Sequence, residues 1–221
     1  MLLIVGFLGA GCARDPLPEY CPVVEPGELV ISELRFTQEG SDSFGHYIEL
    51  YNAAGSTVDL RGLVLRLRGS GGDELELFVR DELDIGPGEY LVIGPGDPEA
   101  PEAWIDYAVG WDISGGNPTE DRYPDDLLRF SAAFIEIEAC GRIIDQTYYD
   151  LAALTGDPGV ATEGTLACGN ADSPPSADAN DDIPGKDSDS CWCIDAMEAD
   201  PDQPLFGVGL PGSPGRPNRC P

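Results

Sequence analysis

From Glu28 the chain alternates between apolar and polar positions. In ELVISELRF (28–36), Leu29, Ile31 and Leu34 form one apolar set. FGHYIELYN (44–52) places Tyr47 and Glu49 on one face and Ile48 and Leu50 on the other. TVDLRGLVLRLRG (57–69) gives Leu63, Leu65 and Leu67 one side, and Arg66 and Arg68 the opposite side. A period of two is what a strand produces when one face is buried and the other is wet. ELELFVR (74–80) and EYLVIG (89–94) repeat the pattern. The DIGPG between them predicts a turn, because Pro presets its own φ and Gly accepts a positive one. AFIEIEA and GRIIDQTYYD predict a hairpin around Cys140 and Gly141, and LFGVG (205–209) a last short strand. This makes seven to nine strands, with no segment carrying helical caps and period. Short strands at this spacing predict an all-β antiparallel sandwich.

Two stretches break the alternation. Residues 95–126 are long for a loop in a compact domain. They carry Trp104, Tyr107, Trp111 and Tyr123, which either fold this excursion onto the sandwich or form an exposed aromatic patch for a protein or glycan partner. Residues 169–190 form an acidic loop with almost nothing to bury.

Residues 1–11 (MLLIVGFLGAG) are too few to span a bilayer but suit the apolar region of an export signal. Gly9, Ala10 and Gly11 before Cys12 resemble a bacterial lipobox, which implies cleavage and lipid attachment at Cys12. A doubly or triply acylated cysteine would hold the chain firmly to a membrane. Ala13 provides no acidic inner-membrane retention signal, so the expected location is the outer membrane of a bacterial envelope. Residues 12–27 are Pro-rich and read as a tether. Beyond Cys12 there are six cysteines, Cys21, Cys140, Cys168, Cys191, Cys193 and Cys220, and an even number in an exported chain predicts disulfides. Domain termini often lie close together, which favours Cys21 with Cys220. Cys191 and Cys193 then take the different partners Cys140 and Cys168. A zinc site is the weaker alternative, since no CxxC pair exists.

Charge narrows the function. Lys plus Arg is 12 and Asp plus Glu is 41, a net charge of −29. A phosphate backbone would repel such a chain, so nucleic acid is excluded as a partner. His46 is the one histidine, and neither a nucleophile elbow nor a phosphate-cradling Gly-rich loop is present. Among 41 acids some pair will have glycosidase spacing by chance, so the expectation is no enzyme activity.

Taken in order, LVISEL, YIELYN, VDLRGLVLRL, IGPGEYLVI, the Gly141–Asp145 strand and the closing GSPGRPN (212–218) resemble the bacterial lamin-tail domain. Tyr47 and Leu63 stand where that family often has Trp, and Ser213 where it has Thr. The resemblance covers about residues 28–220. It implies an immunoglobulin-like β-sandwich, here with long loop insertions and disulfides, and no catalytic activity; bacterial members look like adhesive, binding or accessory modules. Its recurring polar positions have structural readings. Asn52 turns the chain through its own backbone, and Asp59 satisfies donors at the following bend. Glu33 and Glu49 lie on neighbouring strands and repel if opposed, so either they diverge or a cation sits between them. Arg61, Arg66 or solvent is favoured there over a metal.

Asp178, Asn180, Asp182, Asp187 and Asp189 alternate along the acidic loop in a pattern similar to one thrombospondin type 3 repeat. Oxygen ligands so spaced can wrap Ca²⁺, whereas the plainer reading is a solvated loop bridged at Cys168 and Cys191. The expectation is a cofactor-free, non-catalytic binding or structural module at the envelope. The alternatives are a calcium-dependent adhesion module and an accessory domain of a secreted hydrolase system.

Overall fold

The structure, a computed structural model, describes residues 20–36, 46–110, 113–114, 127–128, 130–155, 164–181, 190–197 and 212–221. The elements are β1 (Leu29–Arg35), β2 (Tyr47–Asn52), β3 (Val58–Asp59), β4 (Val64–Gly69), β5 (Glu74–Phe78), β6 (Asp84–Ile85), β7 (Tyr90–Gly94), β8 (Tyr107–Ala108), β9 (Ile113–Ser114), β10 (Ala132–Ala139), β11 (Arg142–Asp150), α1 (Leu151–Thr155), β12 (Thr165–Cys168), α2 (Ala177–Asn180) and β13 (Trp192–Asp195). One sheet runs β13-β12-β1-β2-β7-β8 and a second runs β11-β10-β4-β5-β9, with a small β3-β6 pair beside them. Pairing is antiparallel except between β7 and β8.

The two sheets bury their apolar sets against each other. Ile31, Leu34, Ile48, Leu50, Leu91 and Ile93 come from one, and Leu65, Leu67, Leu75, Leu77, Ile135 and Ile137 from the other. Each such side chain contributes about 1.5–3 kcal/mol by leaving water. The outer face of the second sheet stays charged. Arg66 pairs with Glu76 and Glu138, and Arg68 with Glu74 and Glu136. The all-β sandwich predicted from alternation is therefore the observed architecture.

Local chemistry explains the turns. The β10–β11 hairpin closes on Cys140 (φ 50°) and Gly141 (φ 76°), the two positive angles that a two-residue twisted turn requires. In β1 the register against β2 shifts between Ile31 and Glu33. This bulge carries the apolar series from Ile31 to Leu34, three residues on, with Ser32 and Glu33 left off the core cluster.

Several expectations are corrected. Two one-turn helices, α1 and α2, stand where none was expected, and the short strands β12 and β13 add to the sheet. Residues 20–27, read as tether, pack onto the sandwich: Val24 is buried and Gly27 N donates to Ile144 O. The disulfides are Cys21–Cys140, Cys168–Cys191 and Cys193–Cys220. Cys21 does not meet Cys220 because the N-terminal segment runs over the β10–β11 end, where Arg142 bonds Glu25 and Val24 O. The C-terminal segment instead lies on β12 and β13, through the Asn170–Arg219 bridge and the Arg219–Asp195 ion pair. Cys12, the export signal and the 205–209 strand lie outside the described residues.

Candidate functional site

The outer face of the six-stranded sheet is covered, and the cover holds the most unusual chemistry in the described residues. On the β7–β8 side, Trp104, Ile105 and Ala108 pack over Tyr47 and Val92, with the Trp104 and Tyr47 rings 5.5 Å apart. Tyr107 turns inward, its hydroxyl accepting from Arg80 N and donating to Phe78 O. These aromatics fold the excursion down rather than form a patch. Trp111 and Tyr123 lie outside the described residues.

On the other side, residues 212–220 form a strap. Beneath it Glu33 of β1 and Glu49 of β2 are direct register partners, and both are fully buried. The chain's own groups engage their oxygens. Glu49 accepts from Ser32 Oγ (2.7 Å) and from Gly215 N of the strap (2.7 Å). Glu33 accepts from Tyr47 OH (3.0 Å) and Ser213 N (3.2 Å). Asn218 ties the strap down, its Nδ2 donating to Ser32 O and Cys168 O at 2.9 Å each. Gly212 (φ +117°) passes so close that a Cβ there would sit 2.9 Å from Tyr47 OH and 3.0 Å from Glu33 Oε1.

Burial raises the pKa of both carboxyls. For Glu33, the hydrogen bonds from Ser213 and Tyr47 pull partly the other way. Glu49 rises well above the usual carboxylate range, through burial and then the Glu33 charge. Two carboxylates in register cannot both ionise cheaply in a dry site. Ser213 Oγ agrees with this. It lies 3.4 Å from Glu33 Oε2 and 3.0 Å from Asn218 Oδ1, with one proton for two acceptors. A proton on the carboxyl satisfies both contacts. Burial therefore works against two full charges on the pair, and neither Arg61 nor Arg66 is there to offset them. Those two lie elsewhere, on Asp59 and Glu82 and on Glu76 and Glu138. The opposed carboxylates neither diverge nor hold a surface arginine between them.

A second polar pair sits at the open edge of β1. β12 reaches β1 only at Glu33 and Leu34. At Ile31, Asp145 Oδ2 accepts the backbone N–H at 2.7 Å, and Asn180 Nδ2 donates to the C=O at 3.1 Å. The two side chains also bond each other, at 2.8 Å. They supply at this position the donor and acceptor of a missing strand. The Asn180 carbonyl in turn accepts from Thr147 Oγ1 and Trp192 Nε1.

This changes the calcium reading. Asn180 is fully buried with its amide committed to the core, whereas Asp178 on the same helix is exposed. The structure does not bring these two together as ligands. Asp182, Asp187 and Asp189 lie outside the described residues. Among the described residues, no group of three or more His, Cys, Asp or Glu is arranged for a metal. His46 is buried, and its Nδ1 accepts from Leu128 N, a structural contact.

Asn52 and Asp59 behave as expected. Asn52 Oδ1 accepts from Ala54 N and its Nδ2 donates to Ser56 O and Ile85 O; Asp59 Oδ1 accepts from Arg61 N. Thr165 and Asp195, which face the carboxylate pair, carried no signal in the sequence because short strands flanked by polar loops show no period. Compared with known proteins, the chain matches no family model, no curated protein and no solved structure.

Proposed function

We propose that the protein is an exported, lipid-anchored sandwich of the immunoglobulin-like, lamin-tail type. It serves as a non-catalytic binding or structural module of the bacterial envelope. One observation carries this reading: the polar residues of the lamin-tail-like motifs hold backbone or buried side chains. Glu33, Glu49 and Asn218 secure the strap, Asn52 and Asp59 hold turns, and Asp145 completes β1. A motif set used up in this way specifies a scaffold that presents loops, not a reaction centre. Three disulfides suit an oxidising compartment outside the cytoplasm.

The test is the fate of Cys12. The full chain made in a bacterium should partition with membranes and carry a lipid-sized mass increment on Cys12. Cys12→Ala should move a still-folded protein to the soluble fraction. An unmodified Cys12 in a soluble wild-type protein refutes the anchored reading.

A further inference from the structure

We propose that the three disulfides form a tension bypass: a pull between the two ends of the domain runs around most of the sandwich instead of through it. The basis is connectivity. The covalent loops Cys21–Cys140, Cys168–Cys191 and Cys193–Cys220 follow one another along the chain and none overlaps another. Tension entering at Cys21 crosses at once to Cys140. It then follows the backbone to Cys168, crosses to Cys191, passes through Trp192 to Cys193 and leaves at Cys220. Only about 30 residues of backbone lie on this path, against about 200 between the two ends. The path takes in β11, α1 and β12. The strands from β1 to β10, with most of the core, sit inside the first loop, whose ends are 119 residues apart. The strap and the Asp195 end of β13 sit inside the third.

The entry point is built to match. Tyr20 lies under the Arg61 guanidinium, 4.1 Å from ring centroid to Cζ. Gly62 (φ +87°) lets the chain pass where a Cβ would come within 2.3 Å of Tyr20 O. Val24 is buried just beyond the disulfide, and Arg142, two residues past Cys140, pairs with Glu25. The segment before β1 is thus docked to the hairpin that receives the tension. This inference goes beyond the anchored-module reading and does not depend on it.

The experiment is single-molecule pulling on the full 221-residue chain with handles at its two ends. The reading is the contour length released on unfolding, at about 3.5 Å per residue. The oxidised chain should release no more than about 100 Å, and the chain in reductant about 700 Å. In the oxidised state, Cys21→Ser with Cys140→Ser should add about 400 Å, and Cys193→Ser with Cys220→Ser about 90 Å. An oxidised wild-type chain that releases several hundred ångströms overturns the bypass. So does a Cys21/Cys140 double variant that folds and releases no more than wild type. The comparison of oxidised with reduced wild type decides the matter even where a double variant does not fold.

Discussion

Replacing Asp145 by Asn isolates one buried charge. Asp145 sits at the β1 edge, where burial pushes its pKa up to about 6 against hydrogen bonds from Ile31, Asn180 and Gln146 that lower it. In the unfolded chain the group titrates near ~3.9. Between these values the folded state binds the proton that the unfolded state has released, so stability falls as pH rises. The contribution is fully present below about pH 4 and is lost as pH passes through 6. About two pH units correspond to roughly 3 kcal/mol. In Asp145→Asn the carbonyl oxygen still serves Ile31 N and Asn180 Nδ2, which both use Oδ2. The new NH₂ replaces an acceptor in a site where the Gln146 N–H also bonds the carboxylate, at a cost of about 1–3 kcal/mol that does not vary with pH.

Urea denaturation of the oxidised proteins from pH 3.5 to 8 separates the two effects. Glu33, Glu49 and the net charge of the rest of the chain are common to both proteins and cancel in the difference. That difference, variant minus wild type, should be negative at pH 4. It should rise by about 3 kcal/mol, with its midpoint near pH 5. The variant would then match or exceed wild type at pH 7. A difference independent of pH would show that Asp145 titrates in the folded protein as it does in the unfolded chain, and would refute a pKa raised by burial.

The strap and the entry segment give two further expectations. Asn218→Ala removes both donors to Ser32 O and Cys168 O and leaves two buried carbonyls without them. It should cost about 2–4 kcal/mol in urea denaturation, and a loss below about 0.5 kcal/mol would mean that the strap's other contacts, Cys193–Cys220 among them, hold it without Asn218. Gly62→Ala puts a Cβ 2.3 Å from Tyr20 O at φ +87° and should cost about 2 kcal/mol or more. The same variant should speed proteolysis around Tyr20; unchanged stability and unchanged cleavage would show that the entry segment is not docked.

How far the sequence could be read depended on whether a pattern was local. Leu63, Leu65 and Leu67 against Arg66 and Arg68 announced β4 because each face meets one environment along its length. The β10–β11 turn was legible because the apolar runs on either side of Cys140 and Gly141 leave room for a two-residue turn, and Gly141 accepts the positive φ it requires. β1 obscures the rule, since its bulge shifts the apolar phase by one residue at Glu33. The role of Asn180 was not legible for a physical reason. Asp and Asn in alternation look the same whether they wrap a cation or cap a strand, and only the fold shows that Ile31, 149 residues earlier, needs a donor. The number of disulfides followed from counting and compartment. Their pairing needed the knowledge that the two ends of the chain dock on different parts of the sandwich.

The Glu33–Glu49 pair joins these local and distant parts. That the two lie on neighbouring strands was readable from sequence, but neither their direct register nor their partners were, since Ser213 and Gly215 lie 180 and 166 residues away. Until the strap arrives, the chain supplies none of these amides, and the two carboxyls lack that cover against water. There they would be solvated and charged at neutral pH, within a chain that already carries a net −29. Closing the strap removes water, raises both pKa values and favours protonation of the pair. Closure therefore works against ionisation of the pair, and so long-range a contact is expected to form late. The outer face of this sheet is finished by residues 212–220, and the same segment supplies the backbone N–H groups that hold Glu33 and Glu49 in their buried register.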